Sequence, residues 1–229
     1  MNRPWIALVP AKPFAQAKSR CAGLGPAARR SLARAMLTDV VRRLRGVPAV
    51  CSVVVVATDP EAIGTALASG AGTVGSRRAP DLNGEVGDAL GLIGTAAPGT
   101  GLALVMGDLA GADTPDYAAA LAAAAPHPRA VVGDADGTGT TMLTLRDAED
   151  FRPLLGPGSL SGFLAAGYHD LDVGLTSPLR RDVDTIDQLL SLRPGTLGPA
   201  TRGWLDASLR AGTELRTDAT AHERRIGAL

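Results

Sequence analysis

The chain has 229 residues with 23 basic and 23 acidic side chains, so its formal net charge at pH 7 is zero. This balance disfavours an extended surface for nucleic acid or anionic membranes, and any anion site must be local. The two cysteines have no metal-ligand or redox spacing. The apolar start is too short for a signal peptide, and no later segment approaches the roughly 20 apolar residues of a membrane span. We therefore expect a cytoplasmic protein without nucleic-acid or membrane partners.

Short apolar runs alternate with helical patterns along the chain. The sequence predicts, in order, a strand at 5–9, a helix at 26–44, a strand at 52–57, helices at 60–69 and 84–97, a strand at 102–106, a helix at 114–125, strands at 130–133 and 140–145, and helices at 159–166, 186–192 and 201–211. This alternation predicts an α/β fold with a doubly wound, mostly parallel central sheet and helices on both faces. We expect one domain over 1–212 and a polar C-terminal tail over 213–229.

Lysine is scarce and its placement is uneven. Of the 23 basic side chains 21 are arginines, and the two lysines, Lys12 and Lys18, both follow the first predicted strand. A lysine ammonium is compact and flexible where a guanidinium is planar and rigid, so the two are not interchangeable at a tight site. The pattern favours phosphate chemistry in the loop after this strand.

Three aspartates can meet at the carboxyl edge of the predicted sheet, where ligands of open α/β sheets bind. Asp108 follows the strand at 102–106, and Asp182 and Asp184 precede the helix at 186–192. Residues two apart in an extended segment point the same way, and Mg²⁺ prefers one or two carboxylates plus substrate phosphates. The alternative is ordinary: an Asp-x-Asp-Thr before a helix is often only an N-cap, with Asp184 or Thr185 capping.

Two further segments have a composition suited to anions. Residues 136–141 offer hydroxyls and glycine-exposed backbone N–H groups, and residues 155–159 lead into a helix that Ser159 is expected to cap. The first segment lacks the Gly-Lys-Ser/Thr ending of a P-loop and leads into a strand, which disfavours an NTPase of that class. The alternatives are a hairpin turn for the first segment and a simple capped helix start for the second.

Six segments stand in a recognisable order and spacing over about residues 5–195. They are Pro10-Ala-Lys12 with Lys18-Ser-Arg20, Asp81-Leu-Asn83, Met106-Gly-Asp108-Leu, Gly137-Thr-Gly-Thr140, Leu155-Gly-Pro-Gly-Ser159 and Asp182-Val-Asp184-Thr. Together they resemble the guanylyltransferases of deazaflavin coenzyme (F-420) biosynthesis, which act on 2-phospho-L-lactate or phosphoenolpyruvate. The resemblance implies a GT-A-like nucleotidyltransferase fold, GTP as donor, Mg²⁺ on the aspartates and a phosphorylated three-carbon acid as acceptor.

The resemblance also implies a role for individual residues. It assigns Asp108, Asp182 and Asp184 to the metal, Thr140, Gly156 and Ser159 to phosphoenolpyruvate, Lys12 and Lys18 to the triphosphate and Asn83 to the nucleotide, with Lys12, Lys18, Arg20 and Asp108 as the catalytic set. Two positions depart from the family pattern. Ala110 stands where proline is frequent, and Cys21 where an aliphatic residue is common. Neither change bears on the chemistry.

The expected reaction is transfer of GMP from GTP to the acceptor with release of diphosphate. Phosphoenolpyruvate is the favoured acceptor and 2-phospho-L-lactate the other, and a homodimer is plausible from the resemblance. Three alternatives stay open at this point. They are a nucleotidyltransferase of the same fold that acts on molybdopterin or a sugar phosphate, a GTP-binding sensor without turnover, and a structural, dimer-forming subunit.

Overall fold

The computed structural model describes residues 3–21, 23–75, 79, 81–193 and 195–211. The strands are β1 (Trp5–Pro10), β2 (Val50–Val56), β3 (Gly72–Val74), β4 (Gly101–Val105), β5 (Arg129–Gly133), β6 (Thr140–Leu145) and β7 (His169–Asp170). The α-helices are α1 (Pro26–Arg45), α2 (Pro60–Ala68), α3 (Leu82–Ala96), α4 (Thr114–Ala124), α5 (Ser159–Ala165), α6 (Ile186–Ser191) and α7 (Pro199–Arg210). Two 3₁₀ turns lie at Ala148–Asp150 and Pro178–Arg180.

The seven strands form one sheet in the order β3-β2-β1-β4-β6-β5-β7. All neighbouring pairs are parallel except those of β6, which runs antiparallel to both β4 and β5. Because β6 is antiparallel to β4, its first residue, Thr140, lies at the same edge of the sheet as the segment that follows Val105 at the end of β4. The backbone N–H of Met106 donates to the Thr141 carbonyl at 2.9 Å and fixes this neighbourhood.

Helices cover both faces of the sheet, and alternate residues of β1 point to opposite cores. Trp5, Ala7 and Val9 pack in one buried cluster with side chains of α1, α2 and α4. Ile6 and Leu8 pack in the other with side chains of α3 and α5. This period of two explains why the strand is apolar at every position, since both of its faces are covered.

A third cluster joins α6 and α7 to the outer side of α1. Leu32 and Met36 of α1 pack against Ile186 and Leu189 of α6, with Trp204 of α7 at the border. Polar contacts also join α1 to α7. The buried carboxylate of Asp39 in α1 accepts the N–H groups of Ala200 at 3.0 Å and Thr201 at 2.7 Å. A side chain of one helix therefore provides hydrogen-bond acceptors for backbone N–H groups in the first turn of the other.

The α/β class, the mostly parallel sheet and the helices on both faces are confirmed. The bounds of each predicted element agree with the structure to within two residues, a shift that is ordinary for helix and strand ends. The short strands β3 and β7 were not predicted, and neither was the antiparallel direction of β6. The predicted tail at 213–229 lies outside the described residues. Within the part of the chain that the structure describes, no helix is long and apolar enough to cross a membrane.

Candidate active site

A cleft of about 230 Å³ opens at the carboxyl edge of the sheet, between the loops that follow β1 and β4. We call it the β1–β4 cleft. Its floor is apolar and includes side chains of α1 such as Met36 and Leu37. Of the predicted site residues, those that line the cleft are Lys12, Lys18, Arg20, Asp108 and Asp184. Asp182, Asn83, Thr140, Gly156 and Ser159 lie outside its lining.

Lys18 is held in one position at this cleft. Its side chain is only 8% exposed, and its ammonium donates to the Asp108 carboxylate at 2.9 Å and to the Val183 carbonyl at 2.5 Å. Its backbone φ of 55° lies in the left-handed region, where residues other than glycine are uncommon. Strained backbone of this kind persists only where surrounding contacts hold it, and it is concentrated at functional sites.

The aspartates form a carboxylate triad, defined here as Asp108, Asp182 and Asp184. One oxygen of each lies within 4.8 Å of the others, and all three side chains are half-buried. Burial, followed by the negative charges of Asp108 and Asp184, raises the pKa of Asp182 to about 6. Carboxylate oxygens at this spacing fit a hard divalent cation, which would offset the mutual repulsion of the three groups.

Asp184 is fixed from two sides. Its carboxylate lies 2.8 Å from the guanidinium of Arg20, whose own side chain is 74% exposed. Its carbonyl accepts a hydrogen bond from the Cys21 thiol at 3.2 Å, and its N–H donates to the Gln188 side chain at 2.7 Å. The segment after Lys18 and the segment before α6 are therefore tied together at the mouth of the cleft.

The Asp-x-Asp-Thr segment both caps a helix and contributes to the triad. Thr185 is the N-cap of α6 and forms a reciprocal capping box with Gln188, with bonds of 3.2 and 2.9 Å. The open question of whether Asp184 or Thr185 caps is thus settled in favour of Thr185. The helix does not use the carboxylates of Asp182 and Asp184 as caps, and both lie beside Asp108 in the triad.

Thr140 and Ser159 meet at the other side of the edge. The Ser159 hydroxyl donates to the Thr140 hydroxyl at 2.9 Å, and Ser159 is buried. The prediction that Ser159 caps α5 is wrong. The N-cap is Gly158, at a φ of 72°, because the Ser159 hydroxyl is engaged by Thr140 and its N–H by the Gly156 carbonyl. Residues 155–159, which we call the 155–159 loop, therefore present Gly156 at a φ of 140°.

The turn between β5 and β6 is a hairpin organised by Asp134, a residue that the sequence did not single out. Its carboxylate accepts the N–H groups of Thr138 at 2.9 Å and Gly139 at 2.7 Å. Its carbonyl accepts two bonds from the Arg180 guanidinium, at 2.9 and 3.2 Å. The hairpin alternative is therefore correct. Within the segment at 136–141 that was expected to suit an anion, the N–H groups of Thr138 and Gly139 are bonded to Asp134 instead.

Asn83 lies in the first turn of α3 and reaches a distant segment. Its amide nitrogen donates to the Leu155 carbonyl at 3.0 Å, and its amide oxygen accepts the Leu155 N–H at 2.9 Å. Its neighbour Leu82 lines the β1–β4 cleft. The nucleotide contact assigned to Asn83 by resemblance stays a prediction.

The sequence pointed to the residues of the cleft and of the triad but not to Asp134 and Arg180, which organise the turn before Thr140. Asp134 carried a readable signal, because an aspartate at the start of a stretch rich in Asp and Gly, Asp134-Ala-Asp-Gly-Thr-Gly139, is typical of a turn. Arg180 carried none, since its partner Asp134 is 46 residues away.

Comparison with known proteins identifies the family. Residues 5–160, more than half of the chain, match the family described as "Guanylyl transferase CofC like". The chain belongs to the CofC-like guanylyl transferase family. The matched range holds Lys18 and Asp108 but ends before Asp182 and Asp184, so the inclusion of these two aspartates in the site depends on the geometry of the triad.

Relatives extend the family likeness over most of the chain. A phosphoenolpyruvate guanylyltransferase of Sanguibacter keddieii is 38% identical over 91% of this chain and 86% of its own length. Proteins of the same name from Thermomonospora curvata and Streptomyces coelicolor are 35% and 34% identical, over 86% and 91% of this chain and 86% and 99% of their own lengths.

Solved structures show the same fold at low identity. A Desulfovibrio desulfuricans protein assigned to the nucleotide-diphospho-sugar transferases aligns with a TM-score of 0.66 at 16% identity, over 89% of this chain and 94% of its own. A cytidylyltransferase of Leptospira borgpetersenii aligns with a TM-score of 0.53 at 11% identity, over 93% of this chain and 96% of its own. The expected nucleotidyltransferase fold and enzyme class are confirmed.

Proposed function

We propose that this protein transfers GMP from GTP to phosphoenolpyruvate and releases diphosphate. The observation that carries the proposal is that Asp108 and Asp184, two members of the carboxylate triad, line one cleft with Lys12 and Lys18, in a chain of the CofC-like family. Its relatives of 34–38% identity are named phosphoenolpyruvate guanylyltransferases, which favours phosphoenolpyruvate over 2-phospho-L-lactate as acceptor.

The proposed step is an in-line displacement at the α-phosphorus of GTP. A phosphate oxygen of the acceptor forms a bond to this phosphorus, and the bond from the phosphorus to the bridging oxygen of the β-phosphate breaks. The acceptor phosphate is already an anion near neutral pH, so the site needs no general base. What the residues must supply is alignment of two anions and neutralisation of charge on the departing diphosphate.

The basic residues of the β1–β4 cleft have different proposed roles. Lys12 is exposed at the cleft, so its ammonium can change position as it contacts the triphosphate. Lys18 uses two of its three donors on Asp108 and Val183, which leaves one N–H for a phosphate oxygen. Arg20 stands at the rim beside Asp184 and adds charge where diphosphate leaves.

Asp108, Asp182 and Asp184 fit Mg²⁺ by the chemistry and spacing of their oxygens. Bound there, the ion would supply the charge that lowers repulsion between the two substrates and stabilises the leaving group. The ion pairs with Lys18 and Arg20 hold the carboxylates of Asp108 and Asp184 in place.

Thr140, Gly156 and Ser159 are proposed to bind the acceptor. The hydroxyls of Thr140 and Ser159 are joined at 2.9 Å, and Gly156 exposes backbone with no side chain in the way. Because Ser159 donates its hydroxyl hydrogen to Thr140, the Thr140 hydroxyl keeps its own hydrogen to donate to a carboxylate or a phosphate of a three-carbon acid. Use of the product in coenzyme F-420 biosynthesis follows from the resemblance, and assembly as a homodimer stays a prediction.

The test is a panel of acceptors with GTP and Mg²⁺, with diphosphate release as the readout. We expect release with phosphoenolpyruvate, and slower or no release with 2-phospho-L-lactate and 3-phosphoglycerate. GTP binding without release for any acid would favour a sensor. Release only with a sugar phosphate or a molybdopterin would favour the other transferases of this fold, and either result would overturn the proposal.

A further inference from the structure

Asn83 joins two segments that are 72 residues apart in the chain. Its side-chain amide pairs with the backbone of Leu155 at both ends, 3.0 Å from nitrogen to carbonyl oxygen and 2.9 Å from amide oxygen to backbone nitrogen. A primary amide offers a donor and an acceptor on one plane, so it can satisfy both polar groups of one residue at once. An ionised aspartate, which has nearly the same shape, offers only acceptors and cannot do this.

The support under Asn83 is rigid. Asp81 is the N-cap of α3 and accepts the Gly84 N–H at 2.9 Å, which fixes the turn that carries Asn83. The inner face of α3 is buried against the sheet through Val86 and Leu90. The amide is therefore projected from a helix that is itself anchored in the core.

The segment that Asn83 holds is much less constrained. Gly156 and Gly158 adopt positive φ values of 140° and 72°, and an added Cβ at either would meet nothing within 4 Å. Glycines in open space have many accessible conformations, so the 155–159 loop needs external contacts to keep one shape. The contact with Asn83 lies immediately before Gly156, and the contact of Ser159 with Thr140 lies at the other end.

The same helical turn also faces the β1–β4 cleft. Leu82 lines that cleft together with Lys12 and Asp108. In the first turn of α3, Leu82 thus lies at the β1–β4 cleft, where GTP is proposed to bind, and Asn83 contacts the 155–159 loop, which carries two of the proposed acceptor ligands. This turn therefore sets the distance between the proposed GTP site and the proposed acceptor site.

We propose that Asn83 is a positioning residue for acceptor binding: it acts through the Leu155 backbone to hold Gly156 and Ser159 against Thr140. The inference rests on the proposed function and changes the role that the resemblance gave to this residue. One N–H and one oxygen lone pair of the amide are used on Leu155, and both belong to the geometry that fixes the 155–159 loop.

The test is a comparison of the Michaelis constants of both substrates in Asn83→Ala. Two hydrogen bonds are lost, and we expect the KM for phosphoenolpyruvate to rise about tenfold while the KM for GTP stays within about twofold. Asn83→Asp keeps the acceptor for the Leu155 N–H but loses the donor to its carbonyl, and we expect the same selectivity for the acceptor. Thr95→Ala is the matched control, since it removes an exposed intrahelical bond at the far end of α3, and it should leave both constants unchanged.

Equilibrium binding of phosphoenolpyruvate and of GTP, each measured alone by calorimetry, gives a second readout that does not depend on turnover. A raised KM for GTP with an unchanged KM for phosphoenolpyruvate would overturn the inference and restore the nucleotide contact. Equal loss for both substrates would mean that Asn83 only stabilises the fold. Absence of turnover in the unsubstituted protein would contradict the proposed function itself, which distinguishes the two failures.

Discussion

Lys18 and Asp108 form an ion pair at 2.9 Å in which the lysine side chain is only 8% exposed to solvent. The same ammonium reaches the Val183 carbonyl at 2.5 Å, so it connects the loop after β1 to the ends of two other segments of the site. A compact ammonium fits between these two oxygens. A planar guanidinium has a different shape and fixed donor directions.

Substitution of Lys18 by arginine keeps the charge and tests this fit. We expect Lys18→Arg to lower kcat/KM for guanylyl transfer by about 10²-fold, the size of effect seen when one oriented donor is lost from a charge-stabilising site. Lys12→Arg should also impair transfer, but less, because Lys12 is exposed and has room for a larger group. Steady-state kinetics of both variants provide the measurement.

The control for this pair is Arg42→Lys, an exposed position on α1, which should be silent. If Lys18→Arg also left kcat/KM unchanged, the scarcity of lysine in this chain would be compositional bias. The shape of the ammonium between Asp108 and Val183 would then not matter for transfer.

Loss of a carboxylate from the triad should weaken metal binding and turnover together. Asp184→Asn replaces a charged ligand by a neutral amide and removes the partner of Arg20, and we expect turnover to fall by about 10²-fold or more. Chelation of divalent ions should abolish activity, with recovery on adding Mg²⁺. The apparent Mg²⁺ affinity in an activity titration is the measurement. Asp206→Asn, at an exposed site on α7, is the control, and similar behaviour of the two variants would contradict the metal assignment.

The sequence predicted the parts of the fold and site that depend on local pattern. Long apolar strands and helices with Pro or Thr at their starts were recognised, as were the three aspartates that follow or precede such elements. Strands β3 and β7 have three and two residues, too few for a period to be visible. The reversed direction of β6 depends on the hairpin closed by Asp134. The partners of Asn83 and Arg180 are set by tertiary packing.

Asp134 should matter for acceptor binding although it is not proposed to touch the acceptor. Asp134→Ala leaves the N–H groups of Thr138 and Gly139 without their acceptor, and the turn that presents Thr140 should loosen. We expect the KM for phosphoenolpyruvate to rise about tenfold, since two hydrogen bonds to a carboxylate are lost. Asp136→Ala, in the same turn but exposed, is the matched control. Equal KM values in the two variants would argue against this role.

Asp39 is predicted to set stability rather than catalysis. Asp39→Ala removes the buried acceptor for the Ala200 and Thr201 N–H groups and detaches the start of α7 from α1. We expect the free energy of unfolding in urea to fall by about 3 kcal/mol, because both bonds are to a charged group and both donors lose their partner. Asp113→Ala, which removes a local cap from α4, should cost only about 1 kcal/mol. Equal losses would show that the contact between α1 and α7 is not specially stabilising.

The most direct test of the central claim is the ³¹P NMR spectrum of the protein incubated with GTP, phosphoenolpyruvate and Mg²⁺. We predict that the signals of both substrates decrease together, that diphosphate appears in equal amount, and that a new pair of coupled signals marks the phosphoanhydride between GMP and phosphoenolpyruvate. Release of orthophosphate and GDP, or unchanged substrate signals at high protein concentration, would contradict the account.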